Sequence, residues 1–230
     1  MQSTLLSSLD GLIHGYSTRR AGDMQGKTQN STRFAQQLGF KQPPVFAGQV
    51  HKSTVAMITR PYDSTADTDG LVSSTVPVAV VTADCVPVLL VDPVAHLCAA
   101  VHAGWKGTLE SITSQAVRVM VQEGAQAGRI RASIGPHIGA CCYDVPHDRI
   151  RLFEDRFGRE EKMTYQSEGR AHLDVGWINY RQLCTAGLTE DHIDAPASCT
   201  SCQNGEFFSY RKDQGTLSGK MMAVIGFQTI

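Results

Sequence analysis

The sequence predicts one α/β domain of the α+β kind, in which strands and helices are mixed along the whole chain. Residues 76–81 (VPVAVV) and 86–91 (VPVLLV) are continuous apolar runs, which are typical of strands buried on both faces. Segments with helical periodicity lie after these runs. No internal repeat and no Pro- or Ser-rich linker divides the 230 residues, so we expect a single domain over residues 1–230.

Other short apolar segments predict further strands on either side of the two long runs. These segments are residues 14–18, 45–50, 55–59 and 97–102, Arg131–Ile134, residues 207–210 and Met221–Phe227. The polar residues 20–33 and the acidic residues 63–70 are predicted to form exposed loops and turns.

Helical periodicity is clearest after residue 107. Thr108 is a suitable N-cap, and Gly124 is a suitable end for this helix. Between them, Ile112 and Met120 fall on one apolar face. The other predicted helices are residues 31–38 ended by Gly39, residues 150–157, and residues 175–186 ended by Gly187.

Composition and charge exclude several classes of protein. Hydrophobic residues make up 42% and charged residues 19%, which excludes a disordered tail and a coiled coil. Lys and Arg number 21 against 22 Asp and Glu, and this balance gives no support to nucleic-acid or membrane-surface partners. The first residues do not form a secretory signal, and no apolar run is long enough to cross a membrane. We therefore expect a cytoplasmic protein with reduced thiols.

Three residues with metal-binding side chains, His51, Cys85 and His102, lie at the ends of predicted strands. Loops at one sheet edge bring such side chains together, and two imidazoles with one thiolate suit zinc. Three protein ligands leave the fourth tetrahedral position open, as in catalytic sites. Asp84 is predicted to hold one imidazole in its ligating tautomer. On spacing alone a structural role is the more common one for each residue.

The segment GWKGT at residues 104–108 suggests an anion site close to His102. A glycine such as Gly107 lets the backbone approach a ligand, and the N–H groups at a helix start bind anions. Lys106 adds a positive charge there. Arg19, which follows the first predicted strand, is a further candidate for binding phosphate. The simpler interpretation is a strand–helix turn with a surface lysine, and a solvated loop around Arg19.

The remaining cysteines and histidines give weaker signals. Seven cysteines make a poor disulfide framework because their number is odd. Cys199 and Cys202 form a CxxC pair, but no second CxxC or nearby HxxxH completes a structural zinc site. Cys141 and Cys142 are adjacent, so one is expected to pack inward and the other to face a loop. The rest are expected in the core (Cys98, Cys184), in solvent (His96, His147, His172, His192), or without a partner by spacing (His14, His137).

At these same positions the sequence resembles the YfiH-like, laccase-domain family. The motifs that carry the resemblance are HGYSTR at 14–19, QVH at 49–51, TADCVPVLLVD at 82–92, HAGWKG at 102–107, IGPHIGACCYDV at 134–145 and FFSYRKD at 207–213. The resemblance implies one domain with mixed β-sheets in a layered α/β/β/α sandwich. It also implies a zinc site on the residues matching His51, Cys85 and His102.

The family resemblance implies several activities at that one site. Its members are described as purine nucleoside phosphorylases that also deaminate adenosine and phosphorolyse methylthioadenosine. Other descriptions are copper polyphenol oxidase (laccase) and a factor that edits peptidoglycan precursors. The chain departs from the family pattern at residues 20–33, which are shorter and lack SLNL, and at HKSTV after the first ligand. The mouth of the substrate site is therefore expected to differ from that of typical family members.

Ligand chemistry favours zinc-dependent nucleoside chemistry over oxidation. A multicopper oxidase needs many histidines, often as HxH pairs, and this chain has eight histidines and no HxH. We expect zinc, with copper as an alternative metal, and purine nucleosides and phosphate as partners, with Lys106 and Arg19 binding the anion.

Two further hypotheses remain open on the sequence. Cys85 could be the nucleophile of a hydrolase acting on a cell-wall precursor, with His102 as its base. A non-catalytic zinc protein would instead need a fourth ligand, from Cys141 or His137.

Overall fold

Helices are interspersed among the strands in the described part of the chain, which comprises residues 1–25, 28–167, 169–195, 198–214 and 219–228 of a computed structural model. The α-helices in these residues are α1 (Thr4–Ser7), α2 (Gln29–Leu38), α3 (Trp105–Leu109), α4 (Ile112–Gln122), α5 (His147–Phe157) and α6 (Val175–Thr185). The strands are β1 (Leu12–Tyr16), β2 (Val45–Phe46), β3 (Val55–Ile58), β4 (Gly70–Ser73), β5 (Val78–Thr82), β6 (Val86–Asp92), β7 (Leu97–Ala103), β8 (Arg131–Ile134), β9 (Asp144–Val145), β10 (Thr164–Ser167), β11 (Arg170–Leu173), β12 (Ile193–Asp194) and β13 (Met221–Phe227).

Two mixed sheets form the centre of the molecule. The four-stranded sheet has the order β1-β13-β5-β2, and the six-stranded sheet has the order β12-β8-β6-β7-β4-β3. We call these two the small sheet and the large sheet. The third sheet described has three short strands in the order β10-β11-β9. At the middle of the large sheet, β6 and β7 pair as an antiparallel hairpin from Val86↔Ala103 to Asp92↔Leu97.

Side chains of the two main sheets pack against each other, and helices cover the outer faces. Val80 of β5 and Ile225 of β13 meet Leu89 of β6 in the layer between the sheets. On the outer face of the large sheet, α4 and α6 pack over β6 and β7, whereas α2 covers the small sheet. This order of layers confirms the predicted α/β/β/α sandwich.

The continuous apolar runs follow from this layering. In β6, Val88 and Leu90 face the helical layer, while Leu89 and Val91 face the other sheet. Both faces of the strand are removed from water, so no position is left for a polar residue. The strands predicted over residues 86–91 and 97–102 are confirmed with boundaries extended by one residue.

Several predicted elements are wrong or need new boundaries. The helix expected from Thr108 is two helices, because Ser111 adopts a left-handed conformation (φ 62°) between α3 and α4. The N-cap of α3 is Gly104, and Thr108 is buried inside this helix, where its hydroxyl accepts a hydrogen bond from Asn179. Residues 207–210 form no strand, because Phe207 and Phe208 fill a small core of their own within turns.

The predicted loop over residues 20–33 is shorter than expected. A 3₁₀ turn covers Arg19–Ala21, and α2 already begins at Gln29, capped by the Thr28 side chain. Gly26 and Lys27 lie outside the described residues. The end of α2 at Gly39 is confirmed.

Three of the connections that pass from one main sheet to the other supply loops of the site. Residues 47–54 join β2 to β3, and residues 83–85 join β5 to β6. The third lies between β12 and β13 and includes the described residues 198–214. No helix in the described ranges is long and apolar enough to cross a bilayer.

Candidate active site

His51, Cys85 and His102 come together in what we call the His–Cys–His site. Their nitrogen and sulfur ligand atoms all lie within 4.8 Å of one another. The two imidazole rings meet edge to face, with 4.8 Å between their centroids. His102 is buried and His51 is exposed, so the site opens towards solvent on the His51 side.

The β6–β7 hairpin explains why two of these ligands converge. Cys85 immediately precedes β6, and His102 is opposite Pro87 near the end of β7. Side chains alternate between the two faces of a strand, so Cys85 points to the same side as Leu89, and His102 to the same side as Ala100. Leu89 and Ala100 both face the layer between the two main sheets. His51 arrives separately, on the connection between β2 and β3.

Asp69 orients both histidines. Its Oδ1 atom lies 2.8 Å from Nδ1 of His102 and accepts a hydrogen bond from the backbone N–H of His51 (2.9 Å). The other oxygen, Oδ2, accepts from the Lys52 N–H at 2.8 Å. Asp69 is fully buried, and these hydrogen bonds hold the pKa of its carboxyl below the usual value although burial opposes them.

The prediction that Asp84 orients an imidazole is wrong. Its carboxylate accepts hydrogen bonds from the Thr200 hydroxyl (2.6 Å) and from the Arg211 N–H (2.7 Å). The loop before β6 turns at Asp84 (φ 89°), and the Asp84 side chain therefore bonds to the loop after β12. Asp69, which immediately precedes β4, faces His102 instead.

The loop that carries His51 is held in a strained conformation from both sides. Gln49 and His51 both have left-handed backbone angles, with φ of 57° and 60°. The Gln49 side chain exchanges two hydrogen bonds with the backbone of Val81 on the small sheet, and Asp69 holds the His51 N–H on the large sheet. Conformations of this kind persist where the surroundings fix them, and they are common at functional sites.

The space around the three donors fits a metal ion. A Cβ atom at Gly104 would lie 3.2 Å from Nδ1 of His51 and 3.4 Å from Sγ of Cys85. Glycine therefore leaves the face of the cluster free where any other side chain would crowd it. Together with the mixed nitrogen and sulfur donors, this fits zinc, which prefers such ligands in open, three-residue sites.

Without a metal, Cys85 and His102 behave as an ion pair. Burial raises the pKa of the Cys85 thiol, but the adjacent His102 and His51 rings outweigh burial and lower it to about 6. Burial lowers the pKa of His102, whereas Cys85 and Asp69 outweigh burial and raise it to about 9. Cys85 is thus a thiolate near neutral pH, which is the form that binds metals and attacks electrophiles.

A pocket of about 660 Å³ opens over the His–Cys–His site. This volume lies within the range of small-molecule sites, roughly 300–1,000 Å³. The pocket walls combine apolar and cationic side chains. The residues that line it are Gln49, Val50, His51, Val81, Thr82, Ala83, Asp84, Cys85, His102, Ala103, Trp105, Lys106, Ile138, Tyr143, Arg149, Val175, Tyr210, Arg211 and Lys220.

One wall of the pocket pairs arginines with aromatic rings. The Arg149 guanidinium lies 4.2 Å from the centre of the Trp105 ring and donates a hydrogen bond to the Tyr143 hydroxyl at 3.4 Å. Arg211 lies 5.4 Å from the centre of the Tyr143 ring. Stacking on aromatic faces holds guanidinium groups in place while leaving donors for an anion.

Of the three predicted phosphate-binding residues, the structure places Lys106 in the pocket wall and the other two elsewhere. Arg19 donates to the carbonyls of Asn204 and Phe207 and forms an ion pair with Asp213 at 3.1 Å. Gly107 is buried in α3, and a Cβ atom there would lie 2.8 Å from the Lys52 carbonyl oxygen. Both contacts tie loops together, so the prediction for these two positions is not supported.

Sequence reasoning missed Asp69, Tyr143, Arg149 and Arg211. The role of Asp69 depends on the pairing of β4 with β7, and the sequence does not reveal which strands are neighbours. Tyr143 and Arg211 lie inside the motifs IGPHIGACCYDV and FFSYRKD, and these motifs are the sequence signal that points to them. Arg149 lies outside these motifs, and it reaches the pocket because α5 packs beside it.

Neither predicted source of a fourth ligand joins the His–Cys–His site. His137 bonds through Nδ1 to the Gly135 carbonyl and packs against Gly176. Cys141 belongs to a second group with Cys142, Cys199 and Cys202, so the conclusion that the CxxC pair has no partner is wrong. Two other predictions fail similarly, because His172 is buried and His14 is buried with Ser3 as its partner.

The fold and the site define a single-domain α+β protein with an open His–Cys–His site under a pocket lined with cations. The family model described as multi-copper polyphenol oxidoreductase laccase matches residues 16–228. The chain therefore belongs to this laccase-like family, which confirms the resemblance to YfiH-like proteins. A crystal structure titled hypothetical protein YfiH, from Bacillus licheniformis, superposes with a TM-score of 0.83 at 31% identity, covering 94% of this chain and 93% of that one.

Relatives in the family carry the names of nucleoside enzymes. A protein of Deinococcus radiodurans named purine nucleoside phosphorylase is 37% identical over 211 residues, which cover 90% of this chain and 79% of the relative. A protein named adenosine deaminase RL5, from an unknown prokaryotic organism, is 34% identical over 59% of this chain and 52% of its own length.

Proposed function

We propose that this protein is a zinc-dependent purine nucleoside phosphorylase that also deaminates adenosine and phosphorolyses methylthioadenosine. The observation that carries the proposal is the convergence of His51, Cys85 and His102 in the wall of a pocket lined with cations and aromatic rings. The names of the Deinococcus relative and of RL5 support the same chemistry.

The His–Cys–His site would hold the zinc ion. Bound there, zinc would supply Lewis-acid chemistry at its fourth coordination position. Asp69 would keep the His102 ring in the orientation that presents its other nitrogen, and would keep the His51 loop in place. We therefore assign to Asp69 the orienting role, and to Asp84 the positioning of Arg211.

The cations in the pocket wall would bind phosphate. Lys106, Arg149 and Arg211 are drawn from three different segments and all line the pocket. In phosphorolysis an oxygen of hydrogen phosphate forms a bond to C1′ of the ribose, the bond from C1′ to the purine breaks, and the proton of hydrogen phosphate ends on the released base. The guanidinium groups would orient the anion by paired hydrogen bonds.

Tyr143 lines the pocket and would contact the nucleoside. Burial raises the pKa of its phenol although Arg149 acts in the opposite direction, so the hydroxyl stays protonated at neutral pH. Since Arg149 donates to the phenol oxygen, the hydroxyl proton is available for an acceptor on the substrate. Ile138 and Val81 offer apolar surface against which a purine ring would pack.

Product analysis tests this proposal. Zinc-loaded protein incubated with adenosine, inosine or methylthioadenosine and phosphate is expected to release free base and ribose 1-phosphate or its methylthio analogue. Adenosine without phosphate is expected to give inosine. Arg149→Gln should raise the KM for phosphate more than it changes deamination, and Tyr62→Phe, on the surface, serves as the control. Absence of free base, ribose 1-phosphate and inosine would contradict the proposal.

A cysteine hydrolase is the second candidate, favoured by the alignment of Cys85, His102 and Asp69. A thiol beside an imidazole that is oriented by a carboxylate is also the arrangement of a nucleophile, a base and an orienting group. Its substrate would be an amide in a cell-wall precursor. Full activity in the presence of chelator would favour this candidate, whereas activity that requires zinc favours the phosphorylase.

Oxidase chemistry has the weakest support from the ligands. Among the described residues, the group that contains histidine offers two imidazoles and one thiolate. A multicopper oxidase needs one mononuclear copper and a three-copper cluster, which require many more histidines. Copper bound at the His–Cys–His site would therefore be a single ion.

A further inference from the structure

A second group of metal-binding side chains lies outside the pocket. The Sγ atoms of Cys141, Cys142, Cys199 and Cys202 all lie within 4.8 Å of one another, and none of these residues lines the pocket. All four are free thiols. We propose that this four-cysteine cluster is a closed, structural zinc site, separate from the His–Cys–His site.

Distances in the cluster fit tetrahedral coordination. The Sγ atom of Cys202 lies 3.5 Å from that of Cys141 and 3.4 Å from that of Cys142. A disulfide would bring the sulfurs to about 2.05 Å. Four sulfurs around zinc, each about 2.3 Å from it, stand roughly 3.8 Å apart. The sulfur–sulfur distances in the cluster are close to those around zinc, and small adjustments of side-chain torsions would complete the tetrahedral arrangement.

The backbone around the cluster is arranged for thiolates. Cys199 Sγ accepts hydrogen bonds from the N–H groups of Gly139 (3.2 Å) and Cys202 (3.5 Å). Such N–H groups stabilise negative charge on sulfur. A Cβ atom at Gly139 would lie 3.2 Å from Cβ of Cys199 and 3.3 Å from Sγ of Cys141, so glycine permits the close approach of the two loops.

Two loops supply the ligands, and the backbone already joins them. His137 donates its N–H to the Ser198 carbonyl (3.2 Å), and its own carbonyl accepts from the Thr200 N–H (2.9 Å). Cys141 and Cys202 are exposed, which gives an ion a path to the cluster. With four protein ligands and no open position, the site would be structural in type.

The clamped loops also form part of the pocket wall. The loop with Cys141 and Cys142 contains Ile138 and leads to Tyr143, and the loop with Cys199 and Cys202 leads to Arg211. Asp84 joins both loops, because its carbonyl accepts from the Ile138 N–H and its carboxylate accepts from Thr200 and Arg211. Metal in the four-cysteine cluster would therefore hold this wall in position.

Metal analysis of the full chain tests the proposal. Protein expressed in zinc-supplemented medium is expected to contain two zinc ions per chain, one for each site. Cys85→Ala should keep one, and the double variant Cys199→Ser/Cys202→Ser should also keep one. Cys184→Ser is the matched control, since Cys184 belongs to neither site, and it should keep two.

Cobalt spectroscopy gives a readout that does not depend on the folding of the double variant. Cys85→Ala leaves the four-cysteine cluster intact, and cobalt bound there should show the strong charge-transfer absorption of four thiolate ligands. A Cys85→Ala protein that binds no metal would overturn the proposal, as would a disulfide between these cysteines in freshly isolated protein. Two zinc ions retained in the folded double variant would overturn it as well.

Discussion

At the residue scale, Asp69 determines the geometry of both ligating histidines. One fully buried carboxylate receives the His102 ring and the backbone of His51, although these residues come from a strand and from a loop. Hydrogen-bond partners of this kind typically change metal affinity by about 10–100-fold when removed.

Asp69→Asn should therefore weaken zinc binding at the His–Cys–His site by about 10–100-fold, because the amide cannot accept all three hydrogen bonds. Asp84→Asn, at the adjacent position to Cys85, is the matched control and should retain the affinity, since Asp84 contacts Thr200 and Arg211. Competition with a chelator measures both. Equal affinities in the two variants would contradict the assignment of Asp69.

Cys85 should react with iodoacetamide at low pH in metal-free protein. The thiolate is the reacting form, and a pKa lowered to about 6 means that the rate rises through pH 6 and levels off above it. An ordinary thiol, with a pKa of about 8.5, would continue to gain reactivity up to higher pH. His102→Gln should move the midpoint upward because the cationic partner is lost, which peptide mass spectrometry can follow at Cys85. An unchanged midpoint would argue against the ion pair.

Residue types in the sequence indicated the metal ligands but not their support. His51, Cys85 and His102 stand at strand ends, and side chains at strand ends meet at a sheet edge. The difference between Asp69 and Asp84 depends on which strands are neighbours. Asp69 lies opposite His102 only because β4 pairs with β7, a contact between segments far apart in sequence.

At the scale of elements, the break between α3 and α4 separates the site from the helix that covers the sheet. Trp105 and Lys106 of α3 line the pocket, while Ile112 and Met120 of α4 lie in the core. The helical periodicity continues across Ser111, which is why the sequence predicted one helix. A serine in the left-handed region costs roughly 1–2 kcal/mol relative to the ordinary helical conformation.

Ser111→Gly should raise the free energy of unfolding by about 1 kcal/mol, because glycine adopts a positive φ without that cost. The Ser111 side chain makes no capping hydrogen bond that would be lost. Arg118→Gly, at an exposed position inside α4, should lower the same quantity by about 1 kcal/mol. Urea denaturation at fixed zinc concentration distinguishes the two. Destabilisation by Ser111→Gly would show that the left-handed turn carries no strain.

Long buried elements were predictable, and the short ones were not. The strands β6, β7 and β13 have largely continuous apolar sequences because helices or a second sheet cover both faces. The strand expected at residues 207–210 has an equally apolar sequence, but Phe207 and Phe208 are buried by turns. An apolar run shows that a segment is buried, while the backbone conformation depends on its neighbours.

At the scale of the whole molecule, Tyr16 connects the two main sheets. It lies at the end of β1 in the small sheet, and its hydroxyl donates to the Ser133 carbonyl at 2.9 Å, with Ser133 Oγ at 3.0 Å, in the large sheet. The ring packs directly on Gly135, where a Cβ atom would lie 2.2 Å from it. This contact fixes the spacing of the layers beside the loop that leads to the four-cysteine cluster.

Tyr16→Phe should lower the free energy of unfolding by about 1 kcal/mol, because the buried serine loses its partner while the ring still fills its space. Tyr62→Phe is the matched control, since Tyr62 is 93% exposed, and it should leave stability unchanged. Equal stabilities of the two variants in urea would show that the hydroxyl does not join the sheets.

The unequal burial of the three ligands has a kinetic consequence. Cys85 directly precedes the buried β6–β7 hairpin and His102 lies within it, whereas His51 lies on an exposed loop. We expect His51 to be the last ligand to bind an incoming metal ion and the first to dissociate from a departing one. The residence time of the ion would then follow the opening of one loop and not the unfolding of the protein. Stopped-flow chelation at increasing urea should show a release rate that stays constant until global unfolding begins.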